Sequence, residues 1–132
     1  MDPVTHFEIP TDDMKRAEKF YADAFGWTTS APPGMEGEYE MAMTAESGED
    51  WMPLERGRIH GAFYRRQEPD AGTLISVEVE DIDAALERVK TAGGEVAMAK
   101  DKVMDYGWYA RIRDSEGNLI VLWQPLKGPE DM

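Results

Sequence analysis

The chain contains an internal repeat, and this repeat restricts the folds that it can adopt. Residues 4–27 and 72–95 each read as a strand, an acidic turn, an amphipathic helix and a glycine stop, and the second stretch follows the first by sixty-eight positions. The offset aligns, without gaps, Phe7 with Ile75, Asp13 with Asp81, Ala17 with Ala85 and Gly26 with Gly94. A unit that occurs twice at a fixed offset predicts two like structural modules.

The first copy predicts a strand, a helix and three further strands. Apolar residues alternate with polar ones from 4 to 9, which indicates a strand with one apolar face. Thr11, Asp12 or Asp13 can cap the next helix, and Gly26 ends it. One apolar side of that helix carries Met14, Ala17, Tyr21 and Ala24. Further strands are predicted at 27–30, 38–44 and 58–66.

The second copy repeats this order. A strand begins at Thr73, and Asp81 is the predicted N-cap of a helix that Gly93 and Gly94 stop. The apolar stripe of this helix consists of Ile82, Ala85, Leu86, Val89 and Ala92. A short strand at 95–99 follows, and then a hairpin of residues 107–113 and 118–124 whose turn contains Gly117.

These elements predict an α+β fold built from two βαβββ modules. The modules would form a curved mixed sheet, with the helices on its convex face and an open cleft on its concave face. We expect a single domain over residues 1–132: module 1 at about 1–66, a linker at 67–72, module 2 at about 73–126, and a frayed tail at 127–132.

Charge and composition exclude several classes of partner. Twenty-seven acidic residues against fourteen basic ones give a net charge of −13. Nucleic acids and anionic membrane surfaces are recognised by clustered Lys and Arg, so we expect neither as a partner. There is no cysteine, which excludes disulfides and thiolate ligands. With neither a secretory signal nor a membrane-length apolar run, a cytoplasmic location is expected.

The polar segment from Ala45 to Arg56 carries three large apolar residues, Trp51, Met52 and Leu54. Solvated loops rarely hold such a group, so the segment is expected to be a lid, a dimer contact or a flap packed onto the core.

Two stretches of the chain resemble a known family. One opens with His6-Phe-Glu-Ile-Pro10 and continues through Lys19-Phe-Tyr21 to Phe25-Gly-Trp27; the other is the closing run from Asp114 to Pro125. Together with the paired modules, they resemble the glyoxalase/bleomycin-resistance/extradiol-dioxygenase superfamily, also called vicinal oxygen chelate proteins. The family includes isomerases, dioxygenases, thiol transferases and drug-sequestering proteins, so the resemblance implies a fold and leaves open whether the chain is an enzyme.

In metal-using members, the resemblance implies four ligand positions, on the first and last strands of each module. His6 matches the first position, whereas Leu74 and Val121 stand at two others. Gly61 is the expected match at the fourth, with His60 as its neighbour. Because aliphatic side chains supply no lone pairs, we predict neither a metal site of this type nor another cofactor.

One alternative keeps a metal. His6, His60 and Glu8 together have the composition of a two-histidine, one-carboxylate iron centre. The other interpretation of His60 is an ordinary histidine on the surface of the sheet.

Strand alternation places the candidate ligand-binding residues, His6, Glu8, Tyr109, Arg111 and Trp123, on the cleft side. His6 is either a general base or hydrogen-bonding group, or a relic held by a neighbour. Glu8 either orients His6 or pairs with Arg111, or else is a hydrated carboxylate at an edge. The guanidinium of Arg111 requires an anionic partner, which is Glu8 or a ligand carboxylate.

Tyr109 and Trp123, with Met41, can form an adaptable aromatic wall for a planar ligand, or they pack as ordinary core. The function predicted from these residues is metal-independent binding and sequestration of a small organic molecule, and a molecule that bears a carboxylate is one candidate. The alternative is a lyase, isomerase or oxygenase that uses His6 as a base or in an improvised metal site. The resemblance also implies a homodimer in which the loop that contains Trp51 acts as a lid.

Overall fold

The computed structural model describes residues 1–68 and 72–126. Within it the chain forms two compact units. The first unit is His6–Thr73, and the second comprises Met1–Thr5 together with the chain from Leu74 onward. Residues 69–71 of the predicted linker, and the whole predicted tail at 127–132, lie outside the described residues.

The first unit is a four-stranded sheet with one helix. Its elements are β1 (Val4–Thr11, of which Val4 and Thr5 belong to the second unit), α1 (Met14–Phe25), β2 (Thr28–Ser30), β3 (Tyr39–Met43) and β4 (His60–Arg65). The strands lie in the order β2, β3, β4, β1; β4 runs parallel to β1, and the other pairs are antiparallel.

The second unit has the same arrangement. Its elements are β5 (Leu74–Glu78), α2 (Ile82–Thr91), β6 (Glu95–Val103), β7 (Gly107–Arg113) and β8 (Leu119–Pro125). The strand order is β6, β7, β8, β5, with β5 parallel to β8 and the other pairs antiparallel. The predicted α+β class and the paired βαβββ modules are therefore confirmed.

Both helices begin at the aspartates that the repeat aligns. The carboxylate of Asp13 accepts the backbone N–H of Arg16 at 3.0 Å, and that of Asp81 accepts the N–H of Ala84 at 3.1 Å. Such caps are worth about 1 kcal/mol each. Gly26 ends α1 with a φ of 76°, which glycine adopts at little cost. In the described chain, neither helix has the length and apolar character needed to cross a membrane.

Each helix covers one apolar core of its own unit. In the first unit the buried residues are Met14, Ala42 and Phe63, and the rings of Tyr21 and Trp27 stack beside them with centroids 4.8 Å apart. In the second unit the buried residues are Val79, Ile82, Ala85, Leu86, Ala110, Ile112 and Leu122. Full burial of a side chain as large as Phe63 contributes roughly 1.5–3 kcal/mol.

Two details differ from the sequence prediction. Ala24 and Ala92, predicted on the apolar sides of α1 and α2, are both exposed near the C-terminal ends of these helices. Strand β6 extends to Val103, well beyond the predicted end at 99. Its pairing with β7 shifts register between Val96 and Met98 and again before Asp101, so the alternation that marks a strand is interrupted.

One strand pair of the first unit contains a glycine beneath an aromatic ring. Phe7 and Gly61 are direct partners on the parallel strands β1 and β4. A Cβ atom added to Gly61 would lie 2.2 Å from Cε2 of Phe7. The ring therefore occupies the space that any other residue at position 61 would fill.

Gly61→Ala is expected to lower the free energy of unfolding by about 1–3 kcal/mol, because the Phe7 ring must move away from β4 and from Trp27. Chemical denaturation measures the loss. Gly72→Ala is the matched control, since a Cβ there meets nothing within 4 Å. Equal denaturation midpoints for the two variants would show that Phe7 does not need this glycine.

Candidate functional site

The first candidate surface is the side of the β1–β4 sheet opposite α1. Side chains alternate along each strand, so Ile9 and Phe63 face the core of the first unit while His6, Glu8, His60 and Tyr64 share the other side. We call these four residues the histidine face. Met41, which was predicted in an aromatic wall with Tyr109 and Trp123, pairs with Ala62 on this same side.

The register corrects one prediction. His6 lies directly opposite His60 on the neighbouring parallel strand, whereas Gly61 lies opposite Phe7 on the core side. The residue of β4 that shares the face of His6 is therefore His60, and the match proposed for Gly61 is wrong. A shift of one residue reverses the side to which every side chain of a strand points.

Both ring nitrogens of His60 have partners. The backbone N–H of Thr44 donates to Nδ1 at 3.1 Å, so Nδ1 carries the lone pair. In a neutral ring the proton is then on Nε2, which donates to Oγ of Ser47 at 2.6 Å. The Ser47 hydroxyl in turn donates to the carbonyl of Ala45 at 3.2 Å. Burial lowers the pKa of His60, in agreement with a neutral ring.

His6 is also neutral at pH 7. Its burial, and secondly the charge of His60, lower the pKa of His6 from 6.5 to about 4. Among the described residues, no side chain or backbone group forms a hydrogen bond with its ring. His6 is thus a partly buried, neutral imidazole that can donate through one nitrogen and accept through the other.

Glu8 is 1% exposed and lies on β1 two residues after His6. The interpretation of Glu8 as a hydrated carboxylate at an edge is therefore wrong. Burial of a carboxylate is costly unless it is hydrogen-bonded or paired, and Glu8 does interact with a partner.

The donor atoms do not fit a divalent metal. Leu74 and Val121, at two positions where the family would have ligands, are 4% and 1% exposed and carry no lone pairs. The alternative iron centre of His6, His60 and Glu8 would need a lone pair on the ring of His60. The single lone pair of that ring accepts the Thr44 N–H instead. No group of three or more His, Asp or Glu side chains in residues 1–68 and 72–126 is arranged to hold a metal ion.

The second candidate surface lies in the second unit, on the side of its sheet opposite α2. Two rows of partnered residues cross three strands there: Ser76, Val121 and Arg111 in one row, and Glu78, Trp123 and Tyr109 in the next. We call Ser76, Val121, Arg111, Trp123 and Tyr109 the arginine face.

Arg111 and Tyr109 form a fixed pair on this face. The Nε–H of Arg111 donates to the hydroxyl of Tyr109 at 2.9 Å. The guanidinium carbon lies 5.6 Å from the centre of the Tyr109 ring, within the range of a cation–π interaction. Both residues are half-buried, so the positive charge of Arg111 is held close to the sheet.

Sequence reasoning missed the residue that supports Trp123. A Cβ added to Gly107 would lie 2.8 Å from Cζ2 of Trp123 and 2.3 Å from the carbonyl oxygen of Gln124. The indole therefore lies against the bare backbone of β7. The sequence signal is the glycine in Tyr106-Gly-Trp-Tyr109, at the start of a predicted strand of aromatic residues.

The structure excludes one of the three roles predicted for the segment at 45–56. Its tip is ordered by backbone hydrogen bonds, including Gly48 N–H to Met52 O at 3.0 Å and Leu54 N–H to Glu46 O at 2.9 Å. Trp51, Met52 and Leu54 are 54%, 60% and 66% exposed. Hence these side chains are not a flap packed onto the core.

The five predicted ligand-binding residues fall into two groups. His6 and Glu8 lie on the histidine face of the first unit, and Tyr109, Arg111 and Trp123 lie together on the arginine face of the second. The structure adds Ser47 and Gly107, and it places His60, predicted only as part of the metal alternative or as a surface histidine, opposite His6.

Comparison with known proteins gives consistent matches. The family model of the Glyoxalase/Bleomycin resistance protein/Dioxygenase superfamily matches residues 4–122. The putative glyoxylase CFP32 of Mycobacterium bovis is 32% identical over 120 residues, which cover 89% of this chain and 43% of that protein. The anthracycline biosynthesis protein DnrV of Streptomyces peucetius is 28% identical over 127 residues, covering 89% of this chain and 45% of that protein.

The chain thus spans less than half the length of these curated relatives. Among solved structures, the methylmalonyl-CoA epimerase of Mycobacterium tuberculosis matches with a TM-score of 0.64 at 17% identity, covering 94% of this chain and 88% of that one. At this identity the match shows the fold alone.

The low pKa of His6 predicts a pH dependence. Between pH 6.5 and about 4 the unfolded chain binds a proton at His6 and the folded chain does not, so His6 lowers stability as the pH falls through this window. Across this pH window, His6 lowers the free energy of unfolding by about 3 kcal/mol. His6→Gln should lose less stability than the parent between pH 7.5 and 4, measured by chemical denaturation. Parallel pH profiles would contradict the assignment.

Ser47→Ala is expected to cost about 1 kcal/mol of unfolding free energy, because the Nε2–H of His60 loses its acceptor. Nitrogen NMR of the imidazole should show the Nε2–H tautomer in both proteins, because the Thr44 N–H still donates to Nδ1 in the variant. Ser115→Ala, which removes an exposed hydroxyl in a turn, is the control and should change neither measurement. Appearance of the Nδ1–H tautomer in Ser47→Ala would show that the Thr44 N–H does not set the tautomer.

Proposed function

Because the chain belongs to the Glyoxalase/Bleomycin resistance protein/Dioxygenase superfamily, we propose that it is a binding protein of this superfamily for a small organic molecule with a carboxylate. Binding would not require a metal. The protein would sequester or carry its ligand, as drug-resistance members of the superfamily do.

One observation carries the proposal: a guanidinium held beside aromatic rings on one side of a sheet. The hydrogen bond to Tyr109 limits the freedom of Arg111, so little side-chain entropy is lost when an anion binds. Trp123 is the direct cross-strand partner of Tyr109. A planar organic anion would place its charge at Arg111 and its apolar surface against Trp123.

The residues at the family's metal-ligand positions and one relative support this proposal. The residues at the family's ligand positions favour binding without a metal, since Leu74 and Val121 are aliphatic and His60 is fully hydrogen-bonded. The relative from Streptomyces peucetius is named for anthracycline biosynthesis, that is, for the synthesis of an organic small molecule. A planar ligand would suit the indole of Trp123.

His6 and Glu8 are proposed to contribute polar contacts. At neutral pH the ring of His6 can donate one hydrogen bond and accept another, without adding charge. The buried carboxylate of Glu8 would accept hydrogen bonds from the polar groups around it and so keep them in position. His6 is the residue that we would test first for a catalytic role.

The alternative is a lyase, isomerase or oxygenase of the same superfamily. The pKa of His6, at about 4, makes it a poor general base near pH 7, where efficient bases have pKa values close to the working pH. The engagement of both nitrogens of His60 weakens the version with an improvised metal site.

The assembly and location are part of the same proposal. We propose a cytoplasmic homodimer in which the segment at 45–56 acts as a lid or contact through Trp51, Met52 and Leu54. Their exposure supports this, because an ordered loop with three exposed apolar side chains gains stability when another surface covers them.

Arg111→Gln is expected to weaken binding of 2-naphthoate, a planar carboxylate, by about tenfold or more, since a hydrogen-bonded charge pair is lost. Calorimetric titration measures the dissociation constant. Arg58→Gln removes an equal charge from an exposed residue that pairs with Glu55, so it should bind like the parent. If both variants bind 2-naphthoate equally weakly, the effect comes from net charge and not from Arg111. If the parent protein does not bind 2-naphthoate, this class of ligand is rejected.

Metal dependence is tested separately by elemental mass spectrometry after incubation with iron(II), manganese, nickel and zinc. Binding without near-stoichiometric metal supports the proposal. Stoichiometric uptake that His6→Ala abolishes would favour the enzyme alternative.

A further inference from the structure

The first unit exposes large apolar side chains at two places in the part of the chain that the structure describes. One place is helix α1 and the other is the loop that leads into β4. The exposed side chains are Phe20 and Phe25 on α1, and Trp51, Met52, Leu54 and Ile59 in the loop. Exposed apolar groups that are gathered at defined places mark surfaces that other molecules cover.

The surface at α1 is recessed. A cavity of about 350 Å³ lies where the end of β1 meets the first half of α1. We call it the α1 groove, and the side chains that line it include Ile9, Thr11, Arg16, Ala17, Phe20 and Tyr21. The guanidinium of Arg16 is largely exposed and lies 4.0 Å from the carboxylate of Asp13, so this ion pair is weak. The groove therefore combines an aromatic lining with an exposed cation.

The surface in the loop protrudes and is already ordered. Ser47 and Pro53 form an isolated β-bridge, and the backbone N–H of Trp51 donates to the carbonyl of Gly48 at 3.1 Å. Trp51 has a φ of 66°, which is uncommon for a bulky residue. Residues held in such conformations are often found at functional sites. We call residues 48–54 the loop tip.

The loop tip and the α1 groove lie at opposite ends of the same sheet. The loop enters β4 at His60, whereas Arg66, which also lines the groove, follows the last residue of β4. Strand β1 runs parallel to β4, so the end of β1 lies at the groove as well. Six residues of strand separate the two ends by roughly 20 Å. Trp51 therefore cannot fill the groove of its own chain.

We propose that the loop tip of one copy of this chain inserts Trp51 into the α1 groove of a second copy, and that the second copy does the same in return. This inference rests on the homodimer of the proposed function and names the surface that its loop covers. A two-fold axis brings each tip to the groove of the other copy, because tip and groove lie at opposite ends of the unit. The two contacts are then identical, and the assembly closes as a dimer.

Charge favours a second copy as the occupant. The loop tip carries Glu49 and Asp50 beside Trp51, and the α1 groove presents the guanidinium of Arg16. In the dimer, these carboxylates approach Arg16 while the indole covers Phe20. Complementary charges around an apolar contact fix its orientation, and a buried tryptophan is a common main contributor to binding energy.

Sedimentation velocity tests the two sides of the contact separately. The parent protein is expected to be a dimer, and Trp51→Ala and Phe20→Ala should each raise the dissociation constant of the dimer by about tenfold or more. Tyr106→Ala removes an exposed aromatic side chain from the second unit and should leave the constant unchanged. A parent protein that is monomeric, or a dimer that either of the first two variants leaves intact, would overturn the proposal.

Cross-linking tests which surfaces meet, and the absence of cysteine from the chain makes it selective. Glu49→Cys labels the loop tip, and Ala24→Cys labels α1 one turn after Phe20. A short bismaleimide should join the two variants when they are mixed and should join neither variant to itself. If Glu49→Cys alone cross-links, the two tips meet each other and the proposal is wrong.

The outcomes for this inference and for the proposed binding function are distinct. Calorimetric titration with 2-naphthoate is carried out on the parent protein and on Trp51→Ala. If the parent binds 2-naphthoate but sediments as a monomer, the dimer contact is rejected and the binding function stands. If the mixed variants cross-link as expected but 2-naphthoate does not bind, the contact stands and this class of ligand is rejected.

Discussion

The contact between the Phe7 ring and the backbone of Gly61 sets the register on which the first unit depends. Because the ring fits only over a residue without a Cβ atom, β1 and β4 cannot slip by one position without losing it. The same register places His6 opposite His60 on the other side of the sheet. The packing of Phe7 on one side of the sheet thus determines which polar groups meet on the other side.

The repeat gives two units of one design but different chemistry. The offset aligns His6 with Leu74 and Glu8 with Ser76, so the polar pair of the first unit corresponds to an aliphatic residue and a lone hydroxyl in the second. The first unit holds two neutral imidazoles on its histidine face. The second holds a guanidinium with aromatic neighbours on its arginine face. The backbone hydrogen bonds and the apolar core of each unit do not depend on the side chains opposite its helix. These side chains can therefore differ between the two units.

Much of the fold could be predicted from the sequence because its signals are local. The caps at Asp13 and Asp81 and the hairpin at 107–124 follow from residue type and spacing. The partnership of His6 with His60 could not, because register between distant strands depends on which side chains fit together in the core. The hydrogen bonds of His60 were also hidden, since Ser47 and Thr44 approach it from a loop without a regular pattern.

The five N-terminal residues belong to the second compact unit, although the chain passes directly from them into the first. The carbonyl of Pro3 accepts the N–H of Glu78 at 2.9 Å, and Asp2 forms an ion pair with Arg88 at 3.1 Å. The repeat in the sequence and the division in space therefore have different boundaries. A fragment cut at the linker would carry a full second copy of the repeat and still lack these two bonds, so dissection of this protein by sequence repeat alone would not yield an intact folding unit.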